Sequence, residues 1–110
     1  MNEPIEFELT IKAGADYAID FSYEEDDGAT VDVTGWQVES QLRGFPEAFD
    51  AHDFESSADS EGFHLRMNHE ETSKISFTRG AYDVFITAPD NSVRDKLIYG
   101  RARIIPEVSR

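Results

Sequence analysis

Gly80-Ala81-Tyr82-Asp83-Val84-Phe85-Ile86-Thr87, followed by Ala88-Pro89-Asp90-Asn91-Ser92 and then Val93 through Ile105, is the stretch that decides the fold. Residues 81–87 crowd β-branched and aromatic side chains into one short run, the composition of a buried strand. Pro89, Asp90 and Asn91 each favour chain reversal. A long second strand is expected over roughly 93–105, and Pro106 ends it because proline has no amide hydrogen for the ladder.

Working outward, the same signal recurs. Residues 5–11 read Ile-Glu-Phe-Glu-Leu-Thr-Ile, with apolar side chains at 5, 7, 9 and 11. That two-residue period predicts a strand with one buried face. Lys12 to Asp16 forms a turn, and Tyr17, Ile19, Phe21 and Tyr23 then share a second such face. The turn lacks an Asn-Gly or Asp-Gly pair, which argues against a simple two-residue hairpin between these strands. Trp36, Val38, Ser40 and Leu42 line a third strand, with the single tryptophan as a core anchor. Residues 44–62 are irregular, with His52, Phe54 and Ser56 alternating on one short strand. Phe63, Leu65 and Met67 mark another strand. Asn68 to Ile75 suits the only helical turn, near residues 69–75, with Asn68 as cap and Glu71 three residues on. Seven to eight strands separated by turns about every ten residues predict an all-β protein, a single antiparallel β-sandwich over residues 1–110, with a small barrel as the alternative.

Composition narrows the function. The chain has 110 residues with 10 basic and 23 acidic side chains, for a net charge of −13. Such a charge repels phosphate and anionic lipid headgroups, so nucleic acid and membrane are not expected as partners. There are no cysteines, which excludes disulfides, thiolate metal sites and thiol nucleophiles. The N-terminus lacks the basic start and long apolar run of a secretory signal, and no run nears the ~20 apolar residues of a membrane span.

A search for chemistry finds little. His52, His64 and His69 have no zinc-ligand spacing and read as surface or rim histidines. Tyr23 to Gly28 is acidic, but aligning Gly28 with the glycine of a calcium loop puts Tyr23 at the first ligand position, where a carboxylate is needed. No serine sits in a Gly-x-Ser-x-Gly elbow and no glycine-rich phosphate loop is present. The expectation is a protein that is not an enzyme and carries no cofactor or metal.

Two features suggest contact surfaces instead. Residues 94–110 hold five basic residues against two acidic ones, a charge of +3, whereas the remainder holds five against 21, a charge of −16. Arg101 and Arg103 alternate with Gly100, Ala102 and Ile104, so both project from one face of the last strand, where they either pair with acids on a neighbouring strand or make that strand a docking edge for an acidic partner or a second copy. Phe45, Phe49 and Phe54 lie among acids in the irregular region and either close one end of the sandwich or form an apolar interaction patch.

Two blocks carry a resemblance. The first runs from Ala18 through the Asp27-Gly28 turn and Val31-Asp32-Val33-Thr34-Gly35 to Trp36, continuing to Gln41-Leu42-Arg43. The second is Gly80 to Ile86, the Pro89-Asp90-Asn91 turn, and the closing strand to Val108. Together they resemble small phage virion β-sandwich proteins of the Ig-like type, similar to the N-terminal domain of baseplate upper proteins and related tail and fibre-attachment modules. The resemblance implies a non-enzymatic structural virion protein, made in the host cytoplasm and assembled into the particle. It would be an adaptor in the tail, baseplate or fibre attachment, in contact with other virion proteins and with its own copies in a ring. The chain stops four residues after Pro106, so host recognition is expected on a separate chain. A capsid decoration protein and a carbohydrate- or calcium-binding module are the alternatives.

Overall fold

The expected hairpin of residues 81–105 sits in the middle of the larger of two sheets. In a computed structural model describing residues 4–24, 27–44 and 50–106, that hairpin is β8 (Arg79–Thr87) and β9 (Arg94–Ile105). The reversal closes with the Ala88 amide donating to the Val93 carbonyl, and Asn91 adopts φ 61° there. Asparagine tolerates that left-handed conformation better than most residues. The pairing slips by one residue beside Val84 and Phe85, so Leu97 is the extra residue of a β-bulge.

The other described strands are β1 (Ile5–Glu6), β2 (Leu9–Lys12), β3 (Tyr17–Phe21), β4 (Gln37–Gly44), β5 (Ala51–Asp53), β6 (Glu55–Asp59) and β7 (Gly62–Met67). They form a six-stranded sheet in the order β1-β9-β8-β4-β5, with β2 also on β9, and a three-stranded sheet in the order β3-β7-β6. The protein is therefore all-β, with two sheets enclosing a common core. Leu42, Val84, Ile98 and Ile104 enter it from the larger sheet, and Leu65 and Met67 from the smaller. Burying each such side chain contributes roughly 1.5–3 kcal/mol. A second cluster of Val33, Phe63 and Ile86 packs with Trp36 and Tyr23, and Val38 and Leu97 touch both clusters. Trp36 is the aromatic anchor expected of it.

Four expectations are corrected. The sheet is mixed, not purely antiparallel, because β1 and β2 run parallel to β9. The two strands keep one register, Ile5 opposite Ile98 and Leu9 opposite Ala102, yet the run from 5 to 11 breaks at Phe7 and Glu8. There the Phe7 carbonyl accepts a hydrogen bond from the Tyr82 hydroxyl, reaching across Gly100. Only glycine leaves room, since a side-chain carbon at position 100 would lie 2.3 Å from the Phe7 oxygen. Beyond the break the apolar face is no longer covered: Leu9 and Ile11 are buried, whereas Ile5 is 57% and Phe7 46% exposed.

His52 and Phe54 do not share one strand. The chain leaves the larger sheet after β5 and enters the smaller with β6, and Phe54 lies at the crossing with its amide donating to the Ser40 carbonyl. Third, β9 is not an edge. It is flanked by β8 on one side and, over residues 98–105, by β1 and β2 on the other, so the backbone beside Arg101 and Arg103 is already paired. Fourth, His52 is not a surface histidine; it is 6% exposed.

The helical turn forms as α1 (His69–Thr72), and the Asn68 side chain accepts from the Glu71 amide as the capping pattern predicts. Among the described residues, no helix is long and apolar enough to cross a membrane.

Candidate interaction face

The alternation of buried and exposed residues on β4, β8 and β9 sends every second side chain to the outside of the larger sheet. Tyr82, Val84, Ile86, Ala102 and Ile104 point inward, which forces Arg79, Phe85, Arg101 and Arg103 outward. Leu42 and Gly44 likewise put Arg43 on the outer face, and Ile11 puts Lys12 there. Seven of the ten lysines and arginines occupy this one face.

Register brings four arginines together. Arg79 lies directly opposite Arg103. In the next row Arg101 faces Ala81, and Ala81 faces Arg43 on its other side. Strand spacing of about 4.8 Å and about 3.3 Å of rise per residue then make the quartet a patch of roughly 10 by 7 Å. Among the described residues, none of these four guanidinium groups has a carboxylate within salt-bridge distance, whereas Arg66, Lys74 and Arg94 each have one. Like charges directly opposite across a ladder repel. Arg79, Arg101 and Arg103 also line an open cleft of about 730 Å³ together with Glu8, Ser76 and Thr78. A smaller hollow of about 310 Å³ adjoins it through Thr78, Arg79 and Arg103.

The other end of the same face is differently built. Arg94 lies 4.5 Å over the Phe85 ring and reaches Glu39 at 3.3 Å, and the Lys96 ammonium is 5.5 Å from Phe85 and 5.9 Å from Tyr99. These cations are held by aromatic faces. Tyr99 is 40% exposed beside them.

Of the residues singled out from sequence, Arg101 and Arg103 share the outer face as expected, but on an interior strand. Phe54 is 6% exposed and packs against Tyr17, so it belongs to the core. Phe45 and Phe49 lie outside the described residues. Near Gly44 and Gly80, which are paired across the ladder, the Phe77 ring fills the space that two side chains would otherwise occupy. Arg79 and Arg43 were missed. The signal for Arg79 was the parity of Tyr82, Val84 and Ile86 carried back to residue 79, but only register places it against Arg103.

Each histidine is bound to carboxylates. His52 Nδ1 lies 2.7 Å from Glu71 Oε2, while Nε2 lies 2.9 Å from Asp50 Oδ1 without the alignment of a hydrogen bond. Asp50 also accepts from the Ser76 hydroxyl and amide, which hold its carboxyl below the usual carboxylate range. Glu71, three residues after the Asn68 cap, thus turns its carboxylate to His52. His64 bridges Asp20 at 2.8 Å and Asp59 at 2.9 Å, and Arg66 joins Asp20 at 2.8 Å. Those hydrogen bonds raise the His64 pKa and lower those of both aspartates. His69 pairs with Asp16 at 3.0 Å, and the bond lowers the Asp16 pKa. These clusters tie loops and strands together, and the first of them reaches the arginine-lined cleft through Ser76, which donates to Asp50. Among the described residues, no three such side chains converge as metal ligands.

Comparison of the sequence with protein-family models and with curated proteins gives no match.

Proposed function

We propose that this chain is a non-enzymatic structural component of a bacteriophage particle, an adaptor that joins tail, baseplate or fibre elements by protein–protein contact. The observation that carries the contact mode is the gathering of seven of the ten lysines and arginines on the outer face of the six-stranded sheet, where register also places Glu39, Asp53 and Asp83 but leaves the arginine quartet without a salt bridge among the described residues. Side chains of an interior strand, not an open backbone edge, then make the contact. Assignment to a phage particle rests on the two sequence blocks quoted above.

An Ig-like sandwich of the variable type accords with this reading. The order β9-β8-β4-β5 against β3-β7-β6 follows the G-F-C-C′ and B-E-D arrangement of that class. Trp36, at the entry to β4, packs on Phe63 of β7, the strand in the E position of that arrangement.

The test is the copy number of this chain in purified particles, by quantitative mass spectrometry. A small multiple of three or six is expected. A copy number in the hundreds would replace the adaptor with a head decoration protein, and absence from the particle would refute both. Particles made with Arg101→Glu and Arg103→Glu together should lose the chain while the isolated variant keeps its fold.

A further inference from the structure

We infer that the quartet of Arg43, Arg79, Arg101 and Arg103 is a binding site for an acidic peptide segment of the partner, one that presents two carboxylates on a short extended stretch. This deepens the proposed function and rests on it. Three observations carry it. Arg79 and Arg103 are direct cross-strand partners, and Arg101 and Arg43 flank Ala81 in the neighbouring row on the same face. All four lack a salt-bridge partner among the described residues, in a chain with 23 acidic side chains to choose from. Three of them line an open cleft whose wall also offers the hydroxyl residues Ser76 and Thr78.

The choice of arginine fits a carboxylate. A guanidinium presents a planar fork of donors that matches two oxygens at once. The size of the patch fits a short peptide. Roughly 10 by 7 Å spans two to three residues of an extended chain at about 3.3 Å each. A nucleic-acid backbone would need a longer cationic track to offset the acidic body around it. Within the cleft, Glu8 bounds the cationic surface and sets its limit. The patch also lies on the face where no backbone edge is open, so recognition must come through side chains.

Fluorescence anisotropy with the full chain and a labelled decaglutamate peptide tests this. Saturable binding is expected in 50 mM NaCl, falling at least about tenfold when salt is raised to 300 mM, because surface ion pairs are screened. Arg79→Glu with Arg103→Glu should weaken binding by about tenfold or more. Arg43→Gln with Arg101→Gln should weaken it by a smaller factor of about three, and serves if the first pair perturbs the fold. Arg66→Gln, on β7 of the smaller sheet, should leave affinity unchanged. Equal loss with Arg66→Gln, or oligothymidylate of the same charge binding as tightly, would overturn the inference. So would self-association of the chain that depends on the same arginines, since a second copy would then be the occupant. No peptide binding, with the Arg101→Glu and Arg103→Glu chain still lost from particles, would overturn the acidic-peptide assignment and leave the adaptor standing. No peptide binding with normal incorporation would overturn both.

Discussion

Arg103→Glu should make the isolated protein more stable, and that is the sharpest consequence of the arginine quartet. Arg103 and Arg79 are cross-strand partners. Residues in that relation have Cβ atoms about 5 Å apart, and splayed guanidinium groups settle near 6–7 Å. Two unit charges at that distance in water repel by about 0.6–0.7 kcal/mol. Replacing one with a carboxylate turns repulsion into attraction, a swing of about 1.2 kcal/mol before screening. At 0.15 M salt the Debye length of about 8 Å reduces this to roughly half. A gain near 0.6 kcal/mol corresponds to about 2–3 °C in Tm for a domain of this size. Thermal melts followed by circular dichroism, in 20 mM, 150 mM and 1 M NaCl, read it directly. The stabilisation should be largest at low salt and vanish at 1 M, where screening acts within about 3 Å. A variant that melts below the parent at low salt, or whose shift persists at 1 M, would refute the reasoning. The same substitution should weaken peptide binding, so stability and binding move in opposite directions, as they do where a binding surface is held under charge strain.

Three further outcomes test the fold around the site. Gly100→Ala should destabilise by about 2–4 kcal/mol, since the new methyl meets the Phe7 carbonyl and lifts β1 and β2, with Leu9 and Ile11, off β9; hydrogen exchange should speed up at Leu9, Ile11 and Ala13, whose amides face β9, well before it does in β4, and uniform protection would count against this. Thr72→Val should cost about 1–3 kcal/mol in urea unfolding, because the buried hydroxyl donates to the Ala15 carbonyl at 2.8 Å and accepts from the Gly14 amide at 3.1 Å; a change below about 0.5 kcal/mol would show that water takes over both bonds. His64 has a folded-state pKa raised above its unfolded value, so its contribution is fully present below about pH 6.5 and is lost as pH rises through the folded pKa. Asp20 and Asp59 are lowered, so theirs is present above about pH 4 and is lost as pH falls through their folded values. Tm should therefore peak between these limits, and His64→Gln should flatten the alkaline side; an unchanged alkaline limb would remove His64 from the account.

The sequence is most legible where one strand carries its own pattern. The β8–β9 hairpin, the Pro89 turn, the Asn68 cap and the buried face of β7 follow from local period and turn chemistry. Legibility fails where a distant partner decides the outcome. The break at Phe7 depends on the Tyr82 hydroxyl, 75 residues away, reaching over Gly100. The crossing at Phe54 looks like continued alternation, because a chain that changes sheets between two inward residues keeps the period of one that does not. His52 reads as polar and exposed until Asp50 and Glu71 are seen on either side of it. For the site, parity puts Arg101 and Arg103 on one face, but the charge excess of the C-terminal segment suggested an edge. The neighbours that make it interior, β1 and β2, arrive in parallel from the other end of the chain. Arg43 and Arg79 join only through register, which no local pattern encodes.

The interior position of β9 changes what kind of partner the face can hold. Strand addition to an edge is carried by backbone hydrogen bonds, is tolerant of side-chain sequence, and survives salt. Here the described edges are the short strands β5, β6, β3 and the β1–β2 pair, and Asp53, Glu55 and Asp59 sit on the first two. Charges on an edge deter an incoming strand. Contact through the outer face instead depends on the arginine side chains and is screened as salt rises. Incorporation into particles assembled across a salt series therefore separates the two modes. Incorporation that holds at 0.5 M NaCl would point to an edge and away from the arginine face. A steep fall between 0.05 and 0.3 M, reproduced at low salt by reversing Arg79 and Arg103, would leave the face as the contact.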